Sequence, residues 1–468
     1  MCKILRRKFL METKDRYAVD IVPFEDRHMS YWDMFATWIG ANANNGTWFV
    51  GGIIAACGFW GGIHALIIAS SISYIFLSLV GYMGYKTGAS TMAVSRASFG
   101  IRGSVVPSVV NVTQFVGWTA VNTFIAATSM SYILHSLLGW PVYGQPGGAK
   151  GLIFGILVMS ILHLISISAG QRSIQIIERI GIILVIIFVI WESIVVFRDV
   201  SFSQIANWKV PTHQKMPFGS AIDTLAAFNL AWVTAGADFT RFTNKKNTAV
   251  TAPFLGADIG VFWFAFIGLV ATISIAVTSG VYDANNSDPS TIANRLGLGS
   301  IAMIVIVLTS MTANAVNLQA AGSAVNNIFP KLSLKKSLWI VTILATLVTF
   351  IPVFVGRFLD TFTAFLDYVG MVLGPIVSIM CVDFYLVRRR HYQATELSRK
   401  GGRYWYRGGI HWLAFCLWVV GVLVYLLLQH VAWIRNYTGA TFITMILVGI
   451  AYYVVMKIKC HILLSHSN

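Results

Sequence analysis

Twelve long apolar stretches follow one another along the chain, and they constrain its fold more than any other feature. Each is long enough to cross about 30 Å of hydrocarbon as a helix. Charged residues make up only 11% of the sequence, whereas soluble domains carry about 25%. The chain is therefore predicted to be an all-α, multi-pass membrane protein. The predicted spans, numbered one to twelve in chain order, cover residues 33–57, 62–85, 105–137, 151–169, 176–197, 219–240, 252–279, 299–325, 337–356, 362–386, 409–429 and 438–456.

The net charge of +16 at pH 7 raises the question of a nucleic-acid partner. If the N-terminus is cytoplasmic, 27 of the 34 Lys and Arg residues fall on the cytoplasmic side. The positive-inside rule accounts for this asymmetry, and basic loops also contact anionic lipid headgroups. We therefore predict that both termini are cytoplasmic. A monomer in the plasma membrane is also expected, although the charge pattern does not bear on it. Its expected partners are membrane lipids, and nucleic acid is not expected to be one of them.

The N-terminal run "MCKILRRKFL" is basic but lacks the apolar core of a cleaved signal peptide. Met11 is an alternative first residue. No nucleophile elbow, phosphate-binding loop or pair of carboxylates is present in the sequence, and the five cysteines show no CxxC spacing. These observations argue against an enzyme and against an enzymatic cofactor.

Span one is interrupted by "GANANNGTWFVGG", residues 40–52, which holds three asparagines and four glycines. A helix broken at mid-membrane exposes carbonyl oxygens at one half-helix end and N–H groups at the other. Carbonyls can bind a cation, and N–H groups can bind an electronegative substrate. Such irregular backbone persists only where protein or a water-filled cavity covers it. The stretch is therefore predicted to be a broken helix at a transport site.

Uncharged polar side chains collect in four spans. An unpaired amide in hydrocarbon costs several kcal/mol, so these side chains should face the bundle interior or water. Hydrogen bonding between helices is the alternative explanation for any one of them. The residues are Asn42, Asn44, Asn45 and Thr47 in span one; Asn111, Thr113, Gln114, Trp118 and Asn122 in span three; Asn229, Trp232 and Thr234 in span six; and Thr309, Ser310, Thr312, Asn314, Asn317 and Gln319 in span eight.

A short internal repeat relates two of these spans. "TAVNTFIAA" (119–127) in span three is similar to "NAVNLQAAG" (314–322) in span eight. These spans are equivalent if spans one to five and six to ten form two repeats, and an odd number of spans inverts the second repeat. The predicted segments are an N-terminal tail (1–32), two five-helix repeats (33–197 and 198–386), a basic cytoplasmic loop (387–408), two C-terminal helices (409–456) and a cytoplasmic tail (457–468).

Two motifs carry a family resemblance. "GYMGYKTGASTMAVSRASFGIRGSVVPSVVNVTQFVGW" (81–118) resembles the region from the second to the third span of nucleobase–cation symporters. "GADFTRFTNKKN" (236–247) resembles the end of their sixth span. The resemblance covers essentially the whole chain and is closest to the bacterial cytosine permease branch. It implies a LeuT-type 5+5 inverted repeat with two extra C-terminal helices, twelve transmembrane helices in all, and broken helices one and six.

The resemblance also implies a sodium ion between spans one and eight. The matching ligands are the carbonyls of Gly40 and Asn44, together with Thr309, Thr312 and Ala313 in span eight. Ala313 replaces the hydroxyl residue usual at its position. A proton is therefore the alternative coupling ion.

For the substrate, the resemblance implies a heterocycle stacked on aromatic side chains of spans three and six, with its edge bound by amides. The span-six aromatic position falls on Asn229, with Trp232 nearby as a substitute. The residues predicted to bind substrate are Trp118, Asn122, Asn314, Asn229, Trp232, Gln114 and Asn45.

The residues themselves favour the same chemistry. The face of a flat heterocycle packs well on an aromatic side chain, and amide side chains offer its edge both a donor and an acceptor. Spans three and eight hold no charged residue, which favours a neutral substrate. The expected function is symport of a neutral nucleobase of the cytosine or purine class. Allantoin, hydantoin or a hydroxymethylpyrimidine precursor of thiamine is an alternative substrate. A channel or a non-transporting receptor is the alternative of a different class.

Overall fold

The computed structural model describes residues 21–168, 171–283, 287–355 and 358–465, and this part of the chain contains helices and no β-strand. The two alternative first residues, Met1 and Met11, lie outside the described residues. So do the first part of the N-terminal tail and the last three residues of the C-terminal tail.

Helices cover all twelve predicted spans. Span one consists of Tyr31–Asn42 and Asn45–Ile54, and span six consists of Phe218–Val233 and Gly236–Thr240. The other ten are formed by Phe59–Thr87, Val105–Leu138, Ala149–Ser168, Gln171–Asp199, Lys246–Ser279, Gly299–Ile328, Leu334–Thr349 with Ile351–Val355, Phe358–Val382, Trp412–Leu428 and Thr441–Ser465. Four short helices lie between spans: Thr91–Phe99, Phe202–Ala206, Pro289–Arg295 and Ala432–Tyr437.

Seven helices in the described ranges are long and apolar enough to cross a membrane by length and composition. Two shorter apolar helices, Asn45–Cys57 and Trp412–Leu428, belong to spans one and eleven. The helical positions of all twelve spans therefore agree with the sequence. Their number as membrane crossings stays a prediction.

The predicted break in span one lies at Ala43 and Asn44. The backbone N–H of Asn44 donates to the carbonyl of Asn42 (3.0 Å) and not to that of Gly40, as a continuing helix would require. The side chain of Asn44 then caps the second half, where it accepts the N–H of Thr47 at 3.1 Å. The asparagines noted in the sequence thus both end one half-helix and begin the next.

Both halves of span one lie at backbone distance from span seven. A Cβ atom at Gly51 would overlap the carbonyl oxygen of Ala265, and one at Gly268 would overlap the carbonyl oxygen of Trp48. On the other side of the break, a Cβ atom at Gly260 would lie only 3.0 Å from the Cβ atom of Asn42. These glycines are required because no side chain fits between the two backbones.

The basic loop that follows span ten folds against the short helix Thr91–Phe99. Arg96 donates to the hydroxyl of Ser398 (2.7 Å), and the Tyr406 hydroxyl donates to the carbonyl of Ala97 (2.6 Å). Within the loop, Glu396 accepts the N–H of Arg403 and a guanidinium N–H of the exposed side chain Arg399, and these bonds hold the pKa of its carboxyl below the usual value. Part of the loop is therefore ordered against the segment that joins spans two and three.

Span twelve is fastened to span six by a carboxylate. Both carboxylate oxygens of Asp223 accept backbone N–H groups at the start of span twelve, from Ala440 and Thr441 at 2.8 Å each. We expect Asp223→Ala to lower the stability of the folded protein by about 1–2 kcal/mol, as for other lost helix caps. Thermal unfolding of the purified protein in detergent measures the loss.

Asp223→Asn is the matched control for that change, because the amide keeps one acceptor oxygen and should retain part of the stability. If the alanine and asparagine variants unfold at the temperature of the native protein, the carboxylate does not fasten span twelve.

Candidate substrate and ion site at the helix breaks

Three of the predicted substrate residues form one stripe along span three. Gln114, Trp118 and Asn122 are spaced four residues apart, so they follow one another on a single helix face. All three are buried, with 0%, 5% and 2% of their surfaces exposed. The stripe runs past the breaks of both discontinuous spans, as the next contacts show.

Asn122 and Trp118 adjoin the break in span one. A Cβ atom built on Gly46 would lie 3.5 Å from the Trp118 ring and 3.6 Å from Oδ1 of Asn122. Neither Nε1 of Trp118 nor Oδ1 of Asn122 has a hydrogen-bond partner among the described residues. A buried donor and a buried acceptor are thus left unpaired beside the start of the second half-helix.

Gln114 adjoins the break in span six. Its amide nitrogen lies 3.3 Å from the Thr234 hydroxyl, 3.4 Å from the carbonyl of Ala231 and 3.0 Å from Oδ1 of Asn111. Thr234 caps the C-terminal end of this half-helix, directly after Val233. The other amide atom, Oε1 of Gln114, is buried and has no partner within the described ranges.

Three phenylalanine rings surround the indole of Trp118. Phe228 of span six meets it edge-on, with ring centres 5.0 Å apart and planes at 90°. Phe362 and Phe365 of span ten lie 5.6 Å and 5.3 Å away, also edge-on. Edge-to-face contacts of this kind are favourable, and they hold the indole in one orientation.

Asn314 joins span eight to span three. Its amide nitrogen lies 3.0 Å from the Thr123 hydroxyl, 3.2 Å from the carbonyl of Thr119 and 3.3 Å from Nε2 of His163. Its Oδ1 is buried and unpaired in the described part of the chain. The nitrogen end is therefore anchored, whereas the oxygen end is available for a ligand.

Asn229 and Trp232 point to other neighbours. The Asn229 amide nitrogen donates to the Ser70 hydroxyl of span two at 3.3 Å. The Tyr74 hydroxyl of span two lies between the amide oxygens of Asn229 (2.9 Å) and Asn42 of span one (2.6 Å), and its one hydrogen is shared between them. The Trp232 ring packs in part against Trp38, 6.4 Å away. The structure thus brings neither side chain into a recorded contact with Trp118. Both remain predicted substrate residues on the resemblance alone.

The aromatic residue of span six that the structure does bring to Trp118 is Phe228, one residue before the predicted position. The sequence offered Asn229 and Trp232 as candidates because a one-residue shift in helix register cannot be detected without a fixed partner. In the structure, the recorded contact of span six with the Trp118 ring is made by Phe228.

The five predicted ion ligands lie on both sides of the span-one break and on span eight. The Gly40 carbonyl does not accept the N–H of Asn44, as it would in a continuous helix, because that N–H donates to the carbonyl of Asn42 instead. On span eight, the Thr312 hydroxyl donates to the carbonyl of Thr309 at 2.8 Å. The donor set therefore consists of neutral oxygen atoms, which suits a hard cation.

The side chains of Thr309 and Ala313 differ in what they can offer an ion. The Thr309 hydroxyl donates to the carbonyl of Ile306 in its own helix at 3.0 Å and accepts from the amide nitrogen of Asn45 at 2.9 Å. Ala313 has no side-chain ligand and can offer its carbonyl alone. Asn45, predicted to bind substrate, contacts span eight.

One end of the site is closed by stacked aromatic rings. Phe358 of span ten lies parallel to Phe124 (4.1 Å, 12°) and to Phe49 (5.4 Å, 11°). Phe362 continues the series between Phe49 (4.8 Å) and Trp118 (5.6 Å). These rings therefore form a series of contacts from Trp118 to Phe124, towards the C-terminal end of span three.

Comparison with known proteins identifies the class to which this site belongs. A family model described as permease for cytosine/purines, uracil, thiamine and allantoin matches residues 21–455. The chain belongs to this permease family. The permease is therefore a membrane transporter and not an enzyme.

The curated relatives of the permease are distant in sequence and similar in length. The allantoin permease of Bacillus subtilis is 24% identical over 463 residues, which cover 93% of this chain and 92% of that protein. The purine-uracil permease of Arabidopsis thaliana is also 24% identical, over 92% of this chain and 76% of the relative. Since these identities are equal, they do not separate one substrate from another.

Solved structures define the fold of the permease. Mhp1 in an inward-facing conformation matches with a TM-score of 0.78 at 19% identity, covering 95% of this chain and 93% of Mhp1. A closed form of Mhp1, described as a nucleobase-cation-symport-1 family transporter with bromovinylhydantoin bound, matches with a TM-score of 0.77. The predicted LeuT-type fold with broken helices one and six is confirmed.

Proposed function

We propose that the permease is a secondary active transporter that imports a neutral nucleobase or related heterocycle together with a cation. The observation that carries this proposal is the set of unpaired polar atoms around Trp118. Among the described residues, Nε1 of Trp118 is an unpaired donor and the amide oxygens of Gln114, Asn122 and Asn314 are unpaired acceptors, and all four side chains are buried.

A planar heterocycle suits these atoms. Its face can pack on the indole and its N–H groups can donate to the amide oxygens, so that the cost of leaving buried polar atoms unpaired is removed when it binds. The helices of spans three and eight carry no Asp, Glu, Lys or Arg. A neutral substrate therefore requires no compensating charge, whereas a nucleotide or an amino acid would.

The oxygen ligands near the break in span one favour sodium as the ion that is transported with the substrate. The carbonyls of Gly40 and Asn44 would hold sodium from span one, and the hydroxyl of Thr312 with the carbonyls of Thr309 and Ala313 would hold it from span eight. Sodium bound there would favour the conformation that binds substrate, and substrate would tighten sodium equally. A proton is the alternative ion, because Ala313 lacks the hydroxyl of its relatives.

The proposal extends to orientation and cellular location. With the termini cytoplasmic in the plasma membrane, the ring stack of Phe49, Phe124, Phe358 and Phe362 lies on the extracellular side of Trp118. The described conformation would then be closed to the exterior. Allantoin, a hydantoin or a hydroxymethylpyrimidine fits the same donors and acceptors, and relatives include an allantoin permease and a hydantoin permease.

Uptake into proteoliposomes tests this function. Labelled cytosine, hypoxanthine, uracil and allantoin are supplied in turn under an imposed sodium gradient or an imposed proton gradient. We expect saturable accumulation of at least one of them, driven by one of the two gradients. Uptake that never exceeds equilibrium under either gradient would instead indicate a channel, and no uptake with retained binding would indicate a receptor.

A further inference from the structure

His163 of span four contacts a residue that is predicted to bind substrate. The helix Ala149–Ser168 buries this histidine, which is 4% exposed, and its Nε2 lies 3.3 Å from the amide nitrogen of Asn314 in span eight. The same nitrogen lies 3.0 Å from the Thr123 hydroxyl and 3.2 Å from the carbonyl of Thr119, both in span three. One amide nitrogen therefore joins spans three, four and eight.

The packing of span four holds His163 at this junction. Met159, one helical turn earlier, is buried in an apolar cluster with one residue of span three and one of span eight. The hydroxyl of Ser160 lies 2.8 Å from that of Thr346 in span nine. The helix that carries the imidazole is thus fixed against three neighbouring spans close to the contact with Asn314.

The three neighbours decide which way the Asn314 amide points. The carbonyl of Thr119 can only accept a hydrogen bond, so the amide nitrogen and not the amide oxygen must face it. Nε2 of His163 faces the hydrogens of the same nitrogen, so it must also be an acceptor. The hydrogen-bond network therefore assigns a neutral imidazole with its hydrogen on Nδ1. Oδ1 of Asn314 is left buried and without a partner among the described residues.

The other states of the imidazole would turn the amide round. A hydrogen on Nε2, in the other neutral tautomer or in the imidazolium, would point at the hydrogens of the Asn314 amide. The amide would then favour its oxygen towards His163 and lose its bond to the carbonyl of Thr119. A ligand would meet a donor nitrogen in that arrangement, whereas it meets an acceptor oxygen in the arrangement of the structure.

We propose that His163 is a positioning residue for substrate selection, which holds the Asn314 amide with its oxygen towards the substrate. This role rests on the proposed function. The amide oxygen accepts a hydrogen bond from an N–H of the heterocycle and disfavours a ring nitrogen that presents a lone pair at the same edge. Because Thr119 directly follows Trp118, the amide is fixed beside the ring on which we place the heterocycle.

Nitrogen NMR of the purified protein, labelled at its histidines, tests the assigned tautomer. His163→Leu removes one of the ten histidines, so the difference between the native and variant spectra identifies the signals of His163. We expect the hydrogen on Nδ1 and none on Nε2. Asn314→Leu should shift the Nε2 signal, because it removes the donor. A hydrogen on Nε2 in the native protein would overturn the proposal.

Substrate preference tests the consequence of this orientation. Cytosine, uracil, hypoxanthine and allantoin present different patterns of N–H groups and lone pairs, and the concentration dependence of thermal stabilisation in detergent gives an apparent affinity for each. In His163→Leu the amide is free to present its nitrogen as well as its oxygen. We expect the preference for the tightest of the four compounds over the weakest to fall by about tenfold, the equivalent of one hydrogen bond.

Two control variants separate positioning from a general loss of packing. His163→Gln keeps an acceptor oxygen near the position of Nε2 and should retain the native preferences. His64→Leu makes the same exchange at an exposed histidine of span two, beside the ring of Trp60, and should leave both the preferences and the His163 signals unchanged.

The two measurements fail in different ways. If His163→Leu folds, binds the compounds and keeps the native preferences, His163 does not position Asn314 for selection and the proposal is wrong. If the leucine variant does not fold, His163→Gln identifies the NMR signals instead, and a hydrogen on Nε2 still refutes the proposal. If the native protein binds none of the four compounds, the proposed function fails, whereas the NMR result still decides the orientation of the Asn314 amide.

Discussion

Replacing Trp118 by alanine is expected to lower the apparent affinity for substrate by about ten- to a hundredfold. The indole supplies the face on which we place the heterocycle, and aromatic stacking on a base is worth about 1–3 kcal/mol by alanine substitution. A loss of this free energy raises the dissociation constant by about ten- to a hundredfold. The measurement is the concentration dependence of labelled-base uptake into proteoliposomes.

The surroundings of Trp118 define the controls for this variant. Phe228, Phe362 and Phe365 pack on the ring edge-on, so the alanine variant also opens a cavity that can destabilise the fold. Trp118→Phe keeps an aromatic face and should recover part of the affinity. Phe228→Leu tests the newly identified neighbour and should weaken binding less than Trp118→Ala. Native affinity in a folded alanine variant would place the substrate elsewhere.

Replacing Thr312 by valine is expected to abolish stimulation of uptake by sodium while leaving a folded, membrane-inserted protein. Valine keeps the shape of threonine but removes the only side-chain hydroxyl of the proposed ion site that is not bonded to Asn45. Uptake under an imposed sodium gradient measures the effect, with the same vesicles tested under a proton gradient.

Thr309→Val is the matched comparison, three residues earlier on the same helix. Its hydroxyl is already bonded to the Asn45 amide and to the carbonyl of Ile306, so this variant should keep its sodium stimulation and lose thermal stability instead. If both valine variants respond to sodium like the native protein, or if the native protein follows only the proton gradient, the sodium assignment is wrong.

The sequence predicted the fold well because the signals for it are local. The asparagines and glycines of residues 40–52 interrupt an apolar helix whatever its neighbours are, and the break was found at Ala43 and Asn44. Apolar length alone located the remaining spans. Family motifs then supplied the inverted repeat, which the likeness to Mhp1 confirms.

The site was harder to predict because it depends on which helix faces meet. Helical spacing placed Gln114, Trp118 and Asn122 on one face, but it could not show that Phe228 precedes Asn229 at the indole. The contact of Asn45 with span eight joins residues 265 positions apart in one case. Periodicity within a helix contains no information about such a contact.

Span seven packs against span one on both sides of its break. Gly51 and Gly268 bring the backbones together on one side of the break, and Gly260 meets Asn42 on the other. Interfaces packed this closely resist sliding. The two halves of span one are therefore not free to move independently. Spans one and seven would have to move as one rigid unit when the permease closes on one side of the membrane and opens on the other.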